Sequence, residues 1–289
     1  MPVGWLQRGE ETIGKRKQPE ALRRRLTSAN MTNTSSDVPH LFDCWEQISK
    51  KISATNSIRL FLDFDGTLVP YCDAPEDVKL NPACRRLLAR LVRHRRVHVA
   101  IVSGRRNAVL RKYIRVPGIQ YLGLFGWEKT GGPTLPRPTR KALRGLRALL
   151  VPLPHAFPGV LVEGKGAGYA VHFRGVSPDV QRRLQLRMRR MHARIHSNFR
   201  LIQSNHAFEI VPVQVLGKGV AMRDFTRALS TPFIPIYVGD DLTDEPAFRT
   251  LRGGITVRVG PFSRTHAKFR LKDPEEVRMF LERLEEELF

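Results

Sequence analysis

An α/β fold is predicted by the sequence: a parallel β-sheet flanked by helices, with a smaller α+β module inserted into it. Short apolar runs alternate with amphipathic helical segments over residues 41–128 and again over 212–289, which is typical of parallel strands joined by helices. Residues 129–211 show a different rhythm, in which hairpin-like strand pairs flank one long helix. Residues 1–40 are rich in charge and lack hydrophobic periodicity, so they are predicted to be a disordered basic tail.

The first part of the predicted sheet contains three strands and the helices between them. The run Ile58–Phe64 is short, apolar and closed by the turn signal Asp65-Gly66-Thr67, which indicates a strand buried on both faces. Asn81 is suited to cap a helix, because its side chain can accept hydrogen bonds from first-turn amides. The predicted elements are a helix near Leu41–Ile52, a strand at Ile58–Phe64, a helix at Pro82–Arg93, a strand at Val97–Val102, a helix near Asn107–Tyr113 and a strand near Gln120–Leu124.

The inserted module and the last part of the chain supply the remaining elements. The segment Gly164-Lys-Gly-Ala167 between two candidate strands is typical of a hairpin turn. The module is predicted to contain strands at Gly159–Glu163 and Gly168–Phe173, an arginine-rich helix at Pro178–His196 and strands near Leu201 and Glu209. The parallel pattern then resumes with a helix at Lys218–Leu229, a strand at Ile234–Val238, a helix near Thr243–Thr250, a strand at Ile255–Val259 and a helix at Pro274–Leu288.

The charge balance of the chain is unusual. There are 49 Lys and Arg against 27 Asp and Glu, a formal net charge of +22, which favours polyanions, acidic surfaces and phosphorylated substrates alike. The three cysteines, Cys44, Cys72 and Cys84, form no CxxC pair and indicate a reducing compartment. No apolar stretch approaches the roughly 20 residues that cross a bilayer, and the first residues contain no signal-like segment. We therefore expect a cytoplasmic protein without a membrane partner, in which Met31 is a second candidate start.

Polar side chains follow the predicted strands at the sheet edge where ligands bind in parallel α/β folds. Asp63 and Asp65 come at the end of the first strand, and Ser103 and Arg105 follow the second. A hydroxyl and a guanidinium at such a place can bind phosphate, although Ser-Gly-Arg is also a common helix cap. Lys218 begins the helix after the module, where it could neutralise a phosphoryl group or be an ordinary solvated lysine.

An acidic motif, Gly239-Asp-Asp-Leu-Thr-Asp-Glu245, follows the strand Ile234–Val238. Its carboxylates at Asp240, Asp241 and Asp244 repel one another unless a cation binds them, and hard oxygen ligands of this kind suit Mg²⁺. The alternative is an acidic helix N-terminus that interacts with the helix dipole. Because acidic residues are scarce in this chain, we favour a metal site and predict Mg²⁺ as the cofactor.

In this order, the motifs resemble those of the haloacid dehalogenase superfamily, and the fuller set resembles its trehalose-6-phosphate phosphatase family. The closer match adds Glu163-Gly-Lys165, His172-Phe-Arg174, and Glu209 ahead of Gly217-Lys-Gly219. The resemblance extends from about Arg59 to the C-terminus. It implies a Rossmann-like, haloacid-dehalogenase-like core with an inserted α+β cap. It also implies a Mg²⁺-dependent phosphatase that hydrolyses trehalose 6-phosphate to trehalose and phosphate.

The resemblance implies a role for each motif residue. Asp63 is the expected nucleophile, which forms an aspartyl-phosphate intermediate. Asp65 is the expected general acid for the leaving sugar oxygen and then the base for the attacking water. Ser103 and Lys218 are expected to stabilise the phosphoryl oxygens. The implied metal ligands are the side chains of Asp63 and Asp240 and the backbone carbonyl of Asp65, with Asp241 or Asp244 close behind them.

The resemblance also implies a sugar site in the cap. Glu163, Lys165 and Glu209 resemble the residues that bind glucosyl hydroxyls, and Arg105 is expected to bind phosphate or substrate. One position departs from the family, because its usual Gly-x-His-Gly-x-Glu motif reads Gly123-Leu-Phe-Gly-Trp-Glu128 here. Phe125 cannot form hydrogen bonds. Rival capped phosphatases that act on sucrose-, mannosylglycerate- or glucosylglycerate-phosphate therefore stay open.

A rival of another class is a non-catalytic module that binds polyanions through the basic charge. The complete motif set favours an enzyme, and the arginines of residues 182–200 are interpreted as a solvated helix face rather than a nucleic-acid site. The expected partner is a small sugar phosphate. A functional link to trehalose-6-phosphate synthase is a further expectation, which the resemblance implies.

Overall fold

The structure, a computed structural model, describes residues 33–34, 37–72, 77–128, 135–195, 197–228 and 232–289. Its strands, numbered along the chain, are β1 (Asn33–Thr34), β2 (Ile58–Leu62), β3 (Val97–Val102), β4 (Gln120–Leu122), β5 (Leu161–Gly164), β6 (Tyr169–His172), β7 (Phe199–Gln203), β8 (Ala207–Pro212), β9 (Ile234–Gly239), β10 (Ile255–Val259), β11 (Arg264–Thr265) and β12 (Phe269–Leu271). Its main helices are α1 (Trp45–Ser53), α2 (Pro82–Leu91), α3 (Asn107–Ile114), α4 (Arg137–Leu150), α5 (Pro178–Ile195), α6 (Lys218–Arg227), α7 (Glu245–Thr250) and α8 (Pro274–Glu286). None of the described helices is both long and apolar enough to span a membrane.

Six parallel strands form the main sheet, in the order β12-β10-β9-β2-β3-β4. Along the central strand β2, Leu60 and Leu62 join an apolar core with α1, α2, α3 and α8. Phe61 between them joins a second core with α6 and α7. Helices on both faces of a parallel sheet explain why the sequence shows continuous apolar runs rather than alternation. The predicted α/β fold class is confirmed.

A second sheet, of four antiparallel strands in the order β5-β6-β8-β7, forms the inserted cap. Side chains alternate between its two faces. Val171 and Phe208 share an apolar cluster with Leu146 of α4 and Met188 of α5. Glu209, at the alternate position of β8, faces the other way and lines the cavity between cap and core. The cap therefore has a helix-covered face and a cavity-facing face.

Helix α4 is present in the structure but not predicted from the sequence. Its N-cap residue, Pro136, offers no side-chain hydrogen bond to the first-turn amides, although Pro138 in the first turn is a usual start signal of a helix. Tertiary packing of Leu146 and Leu150 against the cap cluster stabilises it instead. Helices α5 and α6 end at Ile195 and Arg227, and the residues predicted to end them, His196 and Leu229, lie outside the described part of the chain.

Residues 33–34 and 37–40, at the end of the predicted tail, pack against later parts of the chain. Strand β1 pairs antiparallel with β11, and Val38 is buried. Nε of Arg270 donates to the Val38 carbonyl at 3.1 Å, and Nε2 of His40 lies 2.8 Å from Oε2 of Glu276. The sequence misses this segment because its contacts are with residues more than 200 positions away. The rest of the tail up to residue 32, including Met31, lies outside the described residues.

We propose that the core comprises residues 41–128 and 212–289 and that the cap comprises residues 129–211. The strands of the main sheet fall within the first two ranges, and the cap sheet runs from Leu161 to Pro212, one residue beyond the proposed boundary. The proposed beginning of the cap, residues 129–134, lies outside the described residues.

Candidate active site

The end of β2 places Asp63 at the centre of the main sheet. Its amide donates to the Val238 carbonyl at 2.9 Å, so Asp63 still follows the sheet although β2 ends at Leu62. Its Oδ1 accepts a hydrogen bond from the Phe64 amide at 2.7 Å, and its Oδ2 lies 2.7 Å from Nζ of Lys218. Both oxygens are therefore held, and the carboxylate lies directly beside a cation.

Lys218, the first residue of α6, has a side chain that is only 1% exposed. Its Nζ bridges two carboxylates, at 2.7 Å from Oδ2 of Asp63 and 2.7 Å from Oδ1 of Asp244. Burial lowers the pKa of Lys218, but the Asp244 and Asp63 carboxylates outweigh burial and hold that pKa above its usual range. The lysine carries a buried positive charge, which excludes the alternative of a solvated surface lysine.

Asp63, Asp240 and Asp244 form a buried acidic cluster, in which one carboxylate oxygen from each lies within 4.8 Å of the others. Burial, together with the Asp244 carboxylate, raises the pKa of Asp240 to about 7. Burial also raises the pKa of Asp63 well above its ordinary value, against the opposing effect of Lys218. Crowded carboxylates of this kind are costly without a cation, and their oxygen donors fit Mg²⁺.

Neighbouring residues of the motifs make room for this cluster and orient it. Gly66 has a φ of +80°, and a Cβ at this position would overlap Oδ2 of Asp240. Oγ1 of Thr67 donates to Oδ1 of Asp240 at 2.9 Å, and the Tyr237 hydroxyl donates to Oδ1 of Asp244 at 2.7 Å. Hydrogen bonds from outside a metal's ligand set fix the direction of the ligating oxygens. The cluster is thus built for a fixed arrangement of acceptors.

Asp241, the next residue after Asp240, turns away from the cluster. Its Oδ1 accepts a hydrogen bond from the Asn205 amide of the cap at 2.6 Å, and its Oδ2 accepts one from the Thr243 amide at 3.1 Å. Of the four carboxylate side chains predicted from the acidic motif and Asp63, three meet in the cluster. Asp241 instead joins the core to the cap.

Asp65 and Arg105 form an ion pair with two parallel hydrogen bonds. Nε of Arg105 donates to Oδ2 of Asp65 at 2.7 Å, and Nη2 donates to Oδ1 at 2.8 Å. Ser103, which directly follows β3, is buried, and its Oγ accepts a hydrogen bond from the Arg105 amide at 3.1 Å. Because β9, β2 and β3 are neighbours in the sheet, their ends bring the motif residues to one edge, as the sequence predicts.

The cap contributes charged residues to the same cavity. Nζ of Lys165 lies 2.6 Å from Oε1 of Glu209, and both side chains are nearly buried. Nε2 of His172 lies 2.9 Å from Oε2 of Glu163. Among the described residues, Oε2 of Glu209 is buried without a hydrogen-bond partner, which leaves an acceptor for a ligand. The cavity is lined from the core by Asp63, Asp65, Ser103, Arg105 and Lys218 and from the cap by Glu163, Lys165 and Glu209.

The arrangement matches a known family. The family model described as Trehalose-phosphatase matches residues 61–275 of this chain. The chain belongs to the trehalose-phosphatase family. Members of this family are phosphomonoester hydrolases, so the predicted enzyme class and the resemblance seen in the motifs are confirmed.

Individual members of the trehalose-phosphatase family and a solved structure agree with this assignment. "Probable trehalose-phosphate phosphatase E" of Arabidopsis thaliana is 30% identical over 270 residues, which are 86% of this chain and 75% of that protein. "Trehalose-phosphate phosphatase" of Mycobacterium leprae (strain TN) is 34% identical over 256 residues, which are 79% of this chain and 58% of that protein. The C-terminal domain of C. albicans trehalose-6-phosphate phosphatase shares the fold with a TM-score of 0.75 at 20% identity, over 87% of this chain and 98% of that chain.

Phe125, at the position where the resemblance leads us to expect a histidine, lies in a strained turn. Leu124 and Phe125 both adopt left-handed φ angles, 48° and 60°, which are unfavourable for bulky side chains. This turn ends β4 at Leu122, two residues before the predicted end. The Phe125 amide donates to the Ser103 carbonyl at 2.8 Å, and a Cβ at Gly104 would lie 2.9 Å from Cζ of Phe125. An apolar ring is therefore fixed in the cavity wall.

Two cavity residues, Tyr71 and His206, lie outside the motifs that indicated the trehalose-phosphatase family. The Tyr71 hydroxyl donates to Oδ2 of Asp240 at 2.7 Å, across 169 positions of sequence. The His206 ring of the cap contacts the Tyr71 ring edge-on. Neither residue has a signal in the sequence, because each reaches the site through a long-range contact and neither belongs to a periodic pattern.

Proposed function

We propose that this protein is a Mg²⁺-dependent phosphatase that hydrolyses trehalose 6-phosphate to trehalose and phosphate through an aspartyl-phosphate intermediate on Asp63. One observation carries the proposal. The Asp63 carboxylate, 2.7 Å from the buried Lys218 ammonium and within the acidic cluster, opens into the cavity that the cap lines with Glu163, Lys165 and Glu209. The printed names of the relatives support trehalose phosphate as the substrate.

Phosphoryl transfer to Asp63 requires positive charge, because a carboxylate and a phosphate dianion repel each other. The Lys218 ammonium beside Asp63 supplies one such charge, and the Ser103 hydroxyl donates to a phosphoryl oxygen. Asp63 then attacks phosphorus, and the bond from phosphorus to the sugar oxygen breaks. Mg²⁺ would supply further charge neutralisation at the phosphoryl oxygens. The proposed Mg²⁺ ligands are the carboxylates of Asp63 and Asp240 and the backbone carbonyl of Asp65. Asp244, rather than Asp241, is proposed to lie close behind these ligands.

Asp65 performs the proton transfers in this scheme. It lies two residues after the nucleophile and in the same cavity, where its carboxylate can reach the sugar oxygen. Asp65 gives a proton to that oxygen as the sugar leaves, and then takes a proton from the water that attacks the aspartyl phosphate. Arg105 pairs with both oxygens of the Asp65 carboxylate in the structure. Arg105 is proposed to turn to the substrate phosphate, which leaves Asp65 able to take up the proton that it gives to the sugar oxygen.

The cap residues are proposed to recognise the sugar. Oε2 of Glu209 is a buried acceptor that a sugar hydroxyl would satisfy, and Lys165 and Glu163 offer a donor and an acceptor nearby. A sugar without a hydroxyl at the matching position would leave Oε2 of Glu209 buried without a hydrogen bond, which costs about 1–3 kcal/mol. We propose that this penalty favours one sugar phosphate over others.

Mg²⁺ is expected to raise the midpoint temperature of thermal unfolding, and to raise it more at pH 8 than at pH 6. In the metal-free protein, burial and Asp244 raise the pKa of Asp240 to about 7, so at pH 6 this carboxyl keeps a proton that the cation must displace. At a Mg²⁺ concentration 100 times Kd, the cation stabilises the folded state by about 3 kcal/mol, or about 5–10 °C. Scanning calorimetry with and without Mg²⁺ at pH 6 and at pH 8 measures the rise in midpoint temperature at each pH.

The matched control is Asp240→Asn, which keeps the side-chain shape but removes the charge, so the Mg²⁺-dependent rise should vanish at both pH values. Without Mg²⁺, the stability of the folded protein depends on pH in the opposite direction. The folded protein binds the Asp240 proton more tightly than the unfolded chain does, so this group's contribution to stability grows as the pH falls below 7. Equal Mg²⁺-dependent rises at pH 6 and pH 8 in the unsubstituted protein would contradict binding through this carboxylate.

Phosphate release from a panel of sugar phosphates tests which of them is the substrate. With Mg²⁺, we expect kcat/KM for trehalose 6-phosphate to exceed that for sucrose-, mannosylglycerate- and glucosylglycerate-phosphate by about 10–100-fold, which corresponds to the cost of one unpaired buried polar group. Glu209→Gln should narrow this preference, mainly through a higher KM for trehalose 6-phosphate. A preference for another sugar phosphate would keep the mechanism and change the substrate, whereas no release from any of them would overturn the activity.

The cytoplasmic location and the functional link to a trehalose-6-phosphate synthase stay predictions. A synthase of this kind would supply the proposed substrate, which is the basis of the expected link. Co-purification of the two proteins from the native host would test whether the link is also physical.

A further inference from the structure

Tyr71 lies between the acidic cluster and the cap and contacts both. Its hydroxyl donates to Oδ2 of Asp240 at 2.7 Å. On its other side, the His206 ring lies edge-on with centroids 4.7 Å apart, and the Arg174 guanidinium lies 5.2 Å from the Tyr71 ring centroid. Both of these neighbours belong to the cap, and aromatic and cation–π contacts of this kind favour a fixed position of the ring. The cap therefore helps to hold the ring in place.

Gly66, which follows Asp65 in the first motif, makes room for the contact between Tyr71 and Asp240. A Cβ at Gly66 would lie 2.5 Å from Cε2 of Tyr71 and would also overlap the Asp240 carboxylate. The space beside Gly66 is thus filled by the Tyr71 ring edge and the Asp240 oxygen that it contacts.

A second contact ties the same part of the cap to the same part of the core. The turn formed by residues 204–206, which joins β7 to β8 and is named the cap turn here, reaches the acidic motif. The Asn205 amide donates to Oδ1 of Asp241 at 2.6 Å, and Nδ2 of Asn205 donates to the Asp240 carbonyl at 3.3 Å. The cap turn therefore contacts the backbone that carries Asp240 as well as the ring that orients its carboxylate.

We propose that Tyr71 is a positioning residue that aligns the Asp240 carboxylate for Mg²⁺ when the cap turn is seated on the core. The inference rests on the proposed function, because it requires Mg²⁺ at the acidic cluster. When the cap turn leaves the core, the ring of Tyr71 loses the neighbours that fix it, and one hydrogen bond that orients the metal ligand weakens. Because coupling between two sites is reciprocal, Mg²⁺ in turn favours the seated cap turn.

Mg²⁺ affinity, measured by titration calorimetry without substrate, tests the first half of the proposal. Tyr71→Phe keeps the ring but removes the hydroxyl, and it is expected to weaken Mg²⁺ binding about 10–100-fold, as is usual for residues that orient metal ligands. The matched control is Tyr121→Phe, which also removes a buried phenol hydroxyl, one that donates to the Val116 carbonyl at 3.4 Å within the core. Its Mg²⁺ affinity should not change.

Substitutions of His206 in the cap test the second half of the proposal, which is the coupling between the cap turn and Mg²⁺ binding. His206→Ala leaves every hydrogen bond of Asp240 in place, yet it is expected to weaken Mg²⁺ binding several-fold. His206→Phe keeps an aromatic contact with Tyr71 and should therefore retain the Mg²⁺ affinity of the unsubstituted protein. In the Tyr71→Phe background His206→Ala should have no further effect, because the two residues act through one path. Additive losses, or no loss with His206→Ala, would overturn the coupling.

Hydrogen exchange of the Asn205 amide gives a measurement that a purely structural role of Tyr71 would not change. If the cap turn and the cation favour each other, Mg²⁺ slows exchange of the Asn205 amide, and Tyr71→Phe reduces that effect. Unchanged protection of Asn205 on Mg²⁺ addition would count against the reciprocal part of the proposal. Failure of the unsubstituted protein to bind Mg²⁺ would remove the proposed cofactor itself, whereas binding that is unaffected in Tyr71→Phe would overturn the role of Tyr71 alone.

Discussion

Replacement of Asp63 by Asn is expected to abolish phosphate release, with kcat lower by at least about 10³-fold, as for other enzymes that lose their nucleophile. The amide has nearly the shape of the carboxylate, so its oxygen can still accept the hydrogen bond from the Phe64 amide. It cannot attack phosphorus, however, and it no longer carries the charge that pairs with Lys218. Lys218 keeps its contact with Asp244, so the fold should persist.

The aspartyl phosphate itself is the decisive observable for Asp63. Rapid acid quench after mixing with radiolabelled substrate should trap label on the unsubstituted protein, in a form released by hydroxylamine, and none on Asp63→Asn. Asp224→Asn is a suitable control, because Asp224 is an exposed residue of α6 whose nearest cation, Arg223, lies 3.7 Å away. Turnover in Asp63→Asn close to that of the control would assign the nucleophile to another residue.

Asp65→Asn should lower the turnover of trehalose 6-phosphate by about 10²–10⁴-fold, the usual contribution of a general acid–base residue. The asparagine side chain can neither protonate the sugar oxygen nor take a proton from the attacking water. Both chemical steps therefore slow. The loss should appear in kcat rather than in KM, because the proposed sugar contacts lie in the cap.

A substrate with a good leaving group separates the two functions of Asp65. The p-nitrophenolate ion leaves without protonation, so the first step on p-nitrophenyl phosphate should proceed in Asp65→Asn while hydrolysis of the intermediate stalls. The expected signature is a burst of p-nitrophenolate equal to the enzyme concentration, followed by slow turnover. Equal slowing of both substrates without a burst would assign the proton transfers to a different residue.

The strands and the polar residues at their ends could be predicted because their signals are local. Strands β3 and β10 coincide with their predicted ranges, since a strand buried on both faces is a short apolar run bounded by turn residues. The meeting of Asp63 with Asp240 and Asp244 follows from the rule that parallel strands end at one edge. Lys218 could be placed near this edge, but its burial between two carboxylates could not be deduced from a single lysine.

Other parts of the site depend on tertiary contacts that leave no local trace. The sequence leaves Asp241 and Asp244 as alternatives behind Asp240, and the Asn205 amide of the cap shows why Asp241 turns away from the cluster. Phe125 reads as the end of a strand, yet it adopts a left-handed conformation that the surrounding core must enforce. Helix α4 lacks a side-chain cap and is held by its packing on the cap sheet. At Asp241 and Phe125 a distant part of the chain therefore decides the local conformation, whereas the helical spacing of Leu143, Leu146 and Leu150 is already present in the sequence of α4.

The alternation of side chains in the cap sheet limits the ways in which substrate preference can change during evolution. On β8, Phe208 and Ile210 belong to the apolar cluster of the cap, while Ala207 and Glu209 line the cavity. Point substitutions at the cavity positions leave the interior of the cap intact. A one-residue insertion or deletion would exchange the two sets and bury a carboxylate among apolar side chains. Single substitutions at the cavity positions are therefore expected to change the sugar that is accepted, whereas a change in strand length is expected to disrupt the cap.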